Sequence, residues 1–465
     1  MTDASATADM KTLLRDPDYT PPALQAVPLG IQHVLAMFAS NVTPAIIVAG
    51  AAGFGFGSNS PDFPNLIYMI QMSMLFAGIA TLFQTIGFGP VGARLPIVQG
   101  TSFAFLPVMI PAVAGQGVAG LAGLMTGVFI GGLFHFCLGF IIGRIRFALP
   151  PLVTGLIVLM IGLALVRVGI QYAAGGVPLI GKPEYGTMAY WGPALVVVIV
   201  TLAIKFFTKG FMSIAAVLVG LVVGYLVALA LGQVNFANVG RAAAFAVPVP
   251  FKWGFEFNSA IVIGMCFMAI VSAIETVGDT SGITKGGAGR EATDKEISGA
   301  TFADGLGTAV AGIFGGLPNT SFSQNVGLVS ITGVMSRHVV TYGAFFLILC
   351  GFIPKVGAIV ATVPIHVLGG GVIVMFGMVA AAGVNMLSEV NWNRRNMVIF
   401  AVALSVGLGL QLEPGALQHL PKTLQILLNS GLLPAAAIAV ALNLALPEDL
   451  DGDHEEVALE GLKDA

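Results

Sequence analysis

Two carboxylates, Glu275 and Asp279, stand four residues apart within the apolar stretch SAIETVGDTSG. That spacing places both on one helical face. A carboxylate near the centre of a bilayer costs about 2.5–3.5 kcal/mol on insertion scales, and a like charge one turn away adds repulsion. Lost hydration and repulsion both favour the neutral carboxyl, so one of the pair is expected to take up a proton readily, as coupling to a proton gradient requires. A blander reading puts Asp279 at the cytoplasmic end of its helix, meeting water or Lys285. Asp304 in FADGLG and Gln32-His33 in GIQHVLAMF are further polar groups inside apolar runs. The densest polar stretch is 320–333, TSFSQNVGLVSITG, which carries Ser321, Ser323, Gln324, Asn325, Ser330 and Thr332 just after Gly315, Gly316 and Pro318. Hydrocarbon accepts so many polar groups only where they face protein, a cavity or a ligand.

Other candidates carry less. Cys137, Cys266 and Cys350 lie in apolar runs and read as small buried residues rather than a disulfide set. His135, in GGLFHFCLG, reads as a buried, hydrogen-bonded histidine, and His366 and His419 as loop or interface residues. Gly286-Gly287-Ala288-Gly289 follows no strand and reads as a flexible cytoplasmic loop. The sequence has no His-Glu-x-x-His pair, no Cys/His metal spacing, no P-loop and no Rossmann turn, so neither a metal nor a cofactor is expected, nor an enzyme.

The elements that position these groups are membrane spans. Charged residues make up 9% of the 465-residue chain, against about 25% in soluble proteins, and 56% is hydrophobic. Mean hydropathy is +0.92. Apolar runs of about 20 residues, the length that crosses a bilayer, recur from end to end. A net charge of −3 without basic clusters excludes a nucleic-acid partner. Fourteen spans are expected, near 29–51, 66–88, 95–114, 121–142, 152–168, 191–207, 214–231, 260–277, 298–315, 320–334, 339–353, 368–387, 397–410 and 431–446. With both termini inside, the inner loops hold Arg94, Arg144, Arg146, Lys205, Lys209, Lys285, Arg290, Lys295, Arg337, Arg394 and Arg395. The outer loops hold only Arg167, Lys182, Arg241, Lys252, Lys355 and Lys422, as the positive-inside rule prefers.

A repeat is visible. Thr101-Ser102-Phe103 returns as Thr320-Ser321-Phe322, and Gly155, Val158, Met160 and Gly162 return as Gly370, Ile373, Met375 and Gly377. Two halves of seven spans each would run in opposite senses, an inverted repeat, with the third and tenth spans broken at matching places. The third is expected to run extended over 95–101 and as a half-helix over 102–114. Half-helix N-termini present free N–H groups and partial positive charge. Phe103 offers an aromatic face, Gln324 a donor and an acceptor, and Glu275 two acceptors. A flat heterocycle with alternating carbonyl and N–H groups suits such a site.

Gln324-Asn325-Val326-Gly327, followed after four residues by Thr332-Gly333, resembles the signature of the nucleobase–ascorbate transporter family. The resemblance runs from Gln32-His33 through Glu275 and Asp304 to Thr332. It implies an all-α polytopic membrane protein of 14 transmembrane segments in two inverted 7-segment repeats, with short strands in the broken third and tenth. It implies a core domain of residues 29–148 and 260–363 and a gate domain of 149–232 and 364–447. Cytoplasmic tails fall at 1–28 and 448–465, and an extracytoplasmic loop at 233–259. Phe103, Glu275 and Gln324 match the family's substrate contacts, with Ser323 acting through its backbone. His33, Asp279, Asp304 and Asn325 match positions that support the site or the coupling. A homodimer through the gate domains is implied as well.

Gln324 and Asp279, where uracil carriers resemble a Glu and His pattern, point toward the purine carriers. Ser102 stands where some xanthine-selective members carry Asn, which leaves uric acid open. The resulting expectation is a secondary active importer of xanthine and/or uric acid by proton symport in a bacterial cytoplasmic membrane. The alternative is a uracil or broader nucleobase:cation symporter.

Overall fold

The computed structural model describes residues 13–54, 62–145 and 150–447. The order is α1 (Ala23–Ala52), α2 (Phe63–Thr85), β1 (Gln99–Thr101), α3 (Leu106–Val113), α4 (Gly117–Leu138), α5 (Pro151–Ala173), α6 (Met188–Phe207) and α7 (Ala216–Ala230). Then follow α8 (Ser259–Ile283), α9 (Asp294–Ile313), β2 (Asn319–Ser321), α10 (Ser323–Thr332), α11 (Arg337–Phe352) and α12 (Pro354–Val360). The last are α13 (Ile365–Leu387), α14 (Arg394–Leu412), α15 (Lys422–Asn429) and α16 (Leu432–Ala445). Among the described residues, eight helices are long and apolar enough to cross a membrane, and α11 with α12 form a broken ninth bent by 88°. Pro354 opens α12 and cannot continue the hydrogen-bond ladder of α11, which explains the bend. The protein is a multi-pass membrane protein.

The chain divides into two compact units, Met1–Gly143 with Leu165–Phe376, and Arg144–Ala164 with Gly377–Ala465. In the larger unit α4 packs on α9 at backbone contact. A Cβ at Gly312 would lie 2.6 Å from the Phe129 nitrogen, and one at Gly305 would strike the Phe136 backbone. Small residues let helices approach this closely when no water drives their association. The α6 helix keeps Ile199, Phe206 and Phe207 exposed, as a lipid-facing helix does. In the smaller unit Gln411 donates to the Ala164 carbonyl (2.9 Å), and the buried Arg395 donates to the Leu446 and Asn443 carbonyls at the end of α16 (3.1 and 2.5 Å). A cation at a helix C-terminus meets the negative end of its dipole.

The two strands pair antiparallel, Gln99 opposite Ser321, Gly100 opposite Thr320 and Thr101 opposite Asn319. The ladder continues outward through Ser102 N–H to Pro318 O (2.8 Å) and Phe322 N–H to Val98 O (3.1 Å). Gly100 and Thr320 stand at its centre. Gly100 is required: a Cβ there would run into the Phe322 ring and sit 2.6 Å from Met37 Cε. The helix after β1 starts at Leu106, not Ser102, because residues 102–105 form a turn.

From Leu14 the N-terminal segment is docked: Met335 N–H donates to Leu14 O (2.7 Å), Arg337 N–H to Pro17 O (3.0 Å) and Ser336 Oγ to Tyr19 O (2.6 Å). Three local expectations are corrected. Gly286 and Gly287 are not a flexible loop but a π-helical turn wedged against Ser330 and Met335, where any Cβ would collide. Cys137 is exposed, on the face of α4 turned away from the core. His135 is fully buried, yet neither ring nitrogen has a hydrogen-bond partner among the described residues. The first twelve residues and 448–465 lie outside the described residues.

Candidate functional site

The α8 helix carries the site. Asn258 caps its start, its Oδ1 accepting from the Ala260 and Ile261 N–H groups. The helix runs to Ile283, six residues past the expected end, so Asp279 lies inside it and not at a wet terminus. Lys285, the alternative partner of Asp279, instead pairs with Glu291 at 3.0 Å.

Asp279 is buried and clamped by two serines that flank Phe322. Ser321 Oγ donates to Oδ2 at 2.7 Å and Ser323 Oγ to Oδ1 at 2.8 Å. The carboxylate therefore ties α8 to the junction of β2 and α10. Glu275, one turn earlier, is only half-buried. The face that holds it is open beside Gly278, where a Cβ would meet nothing within 4 Å.

Asp304 is fully buried in α9. Its Oδ1 accepts from Gln84 Nε2 of α2 (2.9 Å) and from Gln99 Nε2 of β1, and its Oδ2 is in contact with Thr276 Oγ1 of α8. One side chain thus joins four elements at the strand crossing. None of the three acids forms an ion pair among the described residues.

His33 and Asn325 pair with each other rather than with the acids. Asn325 Nδ2 donates to the His33 carbonyl (3.1 Å) and approaches His33 Nδ1 (3.0 Å). A backbone carbonyl only accepts, so the Asn325 amide faces His33 with its NH2, and His33 Nδ1 is the unprotonated nitrogen. This pair fixes α10 to α1. Phe103 lies half-buried in the turn after β1, edge-on to Phe376 at 5.4 Å. Gln324 is half-buried and Ser323 exposed in the first turn of α10, where the helix offers free N–H groups.

Sequence reasoning missed Gln84, Gln99 and Thr276, and it named Ser321 as polar without pairing it with Asp279. A signal existed for one of them: Ser272, Thr276, Thr280 and Thr284 recur every four residues, all fully buried, forming a hydroxyl stripe beside the Glu275–Asp279 face. Asn41 of α1 also reaches the crossing, its Oδ1 accepting from Thr101 N–H at 2.8 Å.

The two-strand pair inside this helical membrane protein is followed by half-helices and flanked by two buried acids, Asp279 and Asp304, and the half-buried Glu275. Solved transporters share the fold. The transmembrane domain of the cyanobacterial bicarbonate transporter BicA aligns with a TM-score of 0.58 over 92% of this chain and 99% of its own, at 16% identity. The murine anion transporter Slc26a9 in an inward-facing state aligns at 0.61 over 90% and 68%, with 13% identity.

The sequence matches the permease family over residues 24–415, and the chain belongs to that nucleobase–ascorbate transporter family. It is 39% identical to the uric acid transporter UacT of Escherichia coli over 421 residues, 90% of this chain and 85% of that one. It is 32% identical to the xanthine permease XanQ of the same species over 456 residues, 96% and 95% of the two chains. The uric acid permease PucJ of Bacillus subtilis is 33% identical over 420 residues, 90% and 91%.

Proposed function

We propose that this protein imports oxidised purines, xanthine and uric acid, across a bacterial cytoplasmic membrane by proton symport. The observation that carries the reading is the trio Glu275, Asp279 and Asp304, buried or half-buried beside the β1–β2 crossing, with no basic side chain among the described residues bonded to any of them. Unpaired acids at such depth are held because they take part in transport. The names of relatives 32–39% identical over most of the chain support purines as cargo. Glu275 and Gln324 bind the purine edge, the Ser323 backbone adds a donor, and Phe103 covers the ring. His33 and Asn325 brace α10, while Asp279 and Asp304 serve coupling.

Fourteen segments in two inverted halves fit the element order. Beside the eight long helices and the bent α11–α12 pair stand the 20-residue α9, the shorter α7 and α16, and the two strand-led half-helices. The core and gate division, a homodimer through the gate and cytoplasmic termini complete the proposal. The test is uptake of labelled xanthine by cells without their own carriers, with uric acid and uracil as competitors. Competition by uric acid and loss of uptake in Glu275→Gln are expected. Competition by uracil alone, or full uptake by Glu275→Gln, would overturn it.

A further inference from the structure

Hydrogen-bond valence around Asp304 restricts where its proton can reside. The Gln84 amide has one possible orientation. Its Oε1 accepts from the Ala93 N–H (3.2 Å) and its Nε2 donates to the Ala300 carbonyl (2.9 Å), and neither backbone partner can exchange roles. Gln84 therefore presents an N–H, never an oxygen, to Asp304 Oδ1. In this structure Gln99 presents its amide N–H to the same oxygen, with its own Oε1 unpartnered among the described residues. With Gln99 in this orientation two donors are aimed at Oδ1, which then accepts in either charge state.

The Oδ2 side is different. Thr276 Oγ1 has one hydrogen and two neighbours that accept it, the Ser272 carbonyl at 3.0 Å and Asp304 Oδ2. With Asp304 ionised, the hydroxyl can point at Oδ2. With Asp304 protonated, an O–H on Oδ2 donates to Thr276 Oγ1 and the Thr276 hydrogen turns to Ser272 O. Both arrangements satisfy Asp304 Oδ2 and Thr276 Oγ1 without moving a heavy atom.

We infer that Asp304 carries its proton on Oδ2 alone and that Thr276 is the positioning residue whose hydroxyl reorients with it. Gln84 and Gln99 hold Oδ1 as the carbonyl oxygen. Thr276 adjoins Glu275 in the chain, so the reorientation takes place on the helix that supplies the proposed purine contact. The charged or imidazole groups on the elements packed around Asp304 are Glu275 and Asp279 of α8 and His135 of α4, whose backbone lies against Gly305. The hydroxyl switch adds a further group, sensitive to the state of Asp304 itself. The inference rests on the transport reading only for its consequence in uptake.

The experiment has a spectroscopic arm and a transport arm. The infrared difference spectrum of purified protein between acid and alkaline pH, compared with that of Asp304→Asn, isolates the Asp304 carboxylic C=O band. A band lowered by two amide donors, which rises in Gln99→Leu and is unmoved in frequency by xanthine, is expected. A band at the frequency of an unbonded carboxylic acid would overturn the assignment, whatever the protein transports.

In uptake against pH, Thr276→Val is expected to shift the midpoint by about one unit toward higher pH, the size of one lost hydrogen bond to a charged group. Thr276→Ser is expected to restore the wild-type midpoint. An unshifted Thr276→Val profile, or an equal loss at every pH, would overturn the role of Thr276. A wild type that does not take up purine would sink the cargo reading and leave the infrared result standing.

Discussion

The serine clamp on Asp279 makes a quantitative prediction. Ser321 is 2% exposed, so Ser321→Ala removes a donor that water cannot replace. A hydrogen bond to a charged group contributes about 1.5–3 kcal/mol. Ser323 is exposed, so in Ser323→Ala water takes over much of the contact and a loss of about 0.5 kcal/mol or less is expected. At 1.4 kcal/mol per factor of ten, Ser321→Ala should weaken purine binding at least tenfold and Ser323→Ala no more than about twofold. The measurement is a double-mutant cycle of Ser321→Ala with Asp279→Asn, read as purine affinity and as melting temperature in detergent. A coupling of about 1–2 kcal/mol is expected, since each change removes the same contact. Equal effects of the two serine substitutions, or a coupling near zero, would refute the clamp as the means by which Asp279 places α10.

In Asp304→Asn the amide oxygen replaces Oδ1 and the NH2 group can donate to Thr276, copying the hydrogen bonds of the protonated acid; normal expression and purine binding are expected, without accumulation against a gradient in uptake assays. Deleting residues 2–20 removes three backbone acceptors for Met335, Ser336 and Arg337, about 3 kcal/mol in all at about 1 kcal/mol each, and should lower the melting temperature by several degrees. Asp18→Ala alone should change little, because its ion pair with Arg337 (2.8 Å) is solvent-exposed on the Asp18 side. At the start of α9, burial pushes the Glu296 carboxyl up, but hydrogen bonds from Arg290 and Thr293 outweigh it and hold it below the usual range. That contribution is present above the unfolded value of about 4.3 and is lost as pH falls through the lower folded value. Thr293→Ala should therefore cost about 1 kcal/mol of stability at neutral pH, and less in acid, as pH-dependent melting would record.

The sequence disclosed whatever depends on solvent. Apolar runs of bilayer length and polar residues out of place within them, Glu275, Asp279, Asp304 and 320–333, are visible because hydrocarbon penalises the exceptions. The strand pair was approachable through Gly315, Gly316 and Pro318, which prevent a plain helix, but its register was not. The partners of the acids were not legible. Gln84 and Gln99 lie 220 and 205 positions from Asp304, and nothing local marks them as its donors. Lys285, six residues from Asp279, was the obvious neighbour in sequence, yet the helix continues past Asp279 and carries Lys285 to Glu291. His135 looked ordinary because sequence does not show that its surroundings lack a partner.

Proton-coupled purine import is tested most directly with purified protein in liposomes. An imposed inward proton gradient should drive labelled xanthine above its external concentration without sodium, with simultaneous proton entry, and a protonophore or Glu275→Gln should abolish the accumulation. Accumulation that requires a sodium gradient, or xanthine that only equilibrates whatever the proton gradient, would contradict the account.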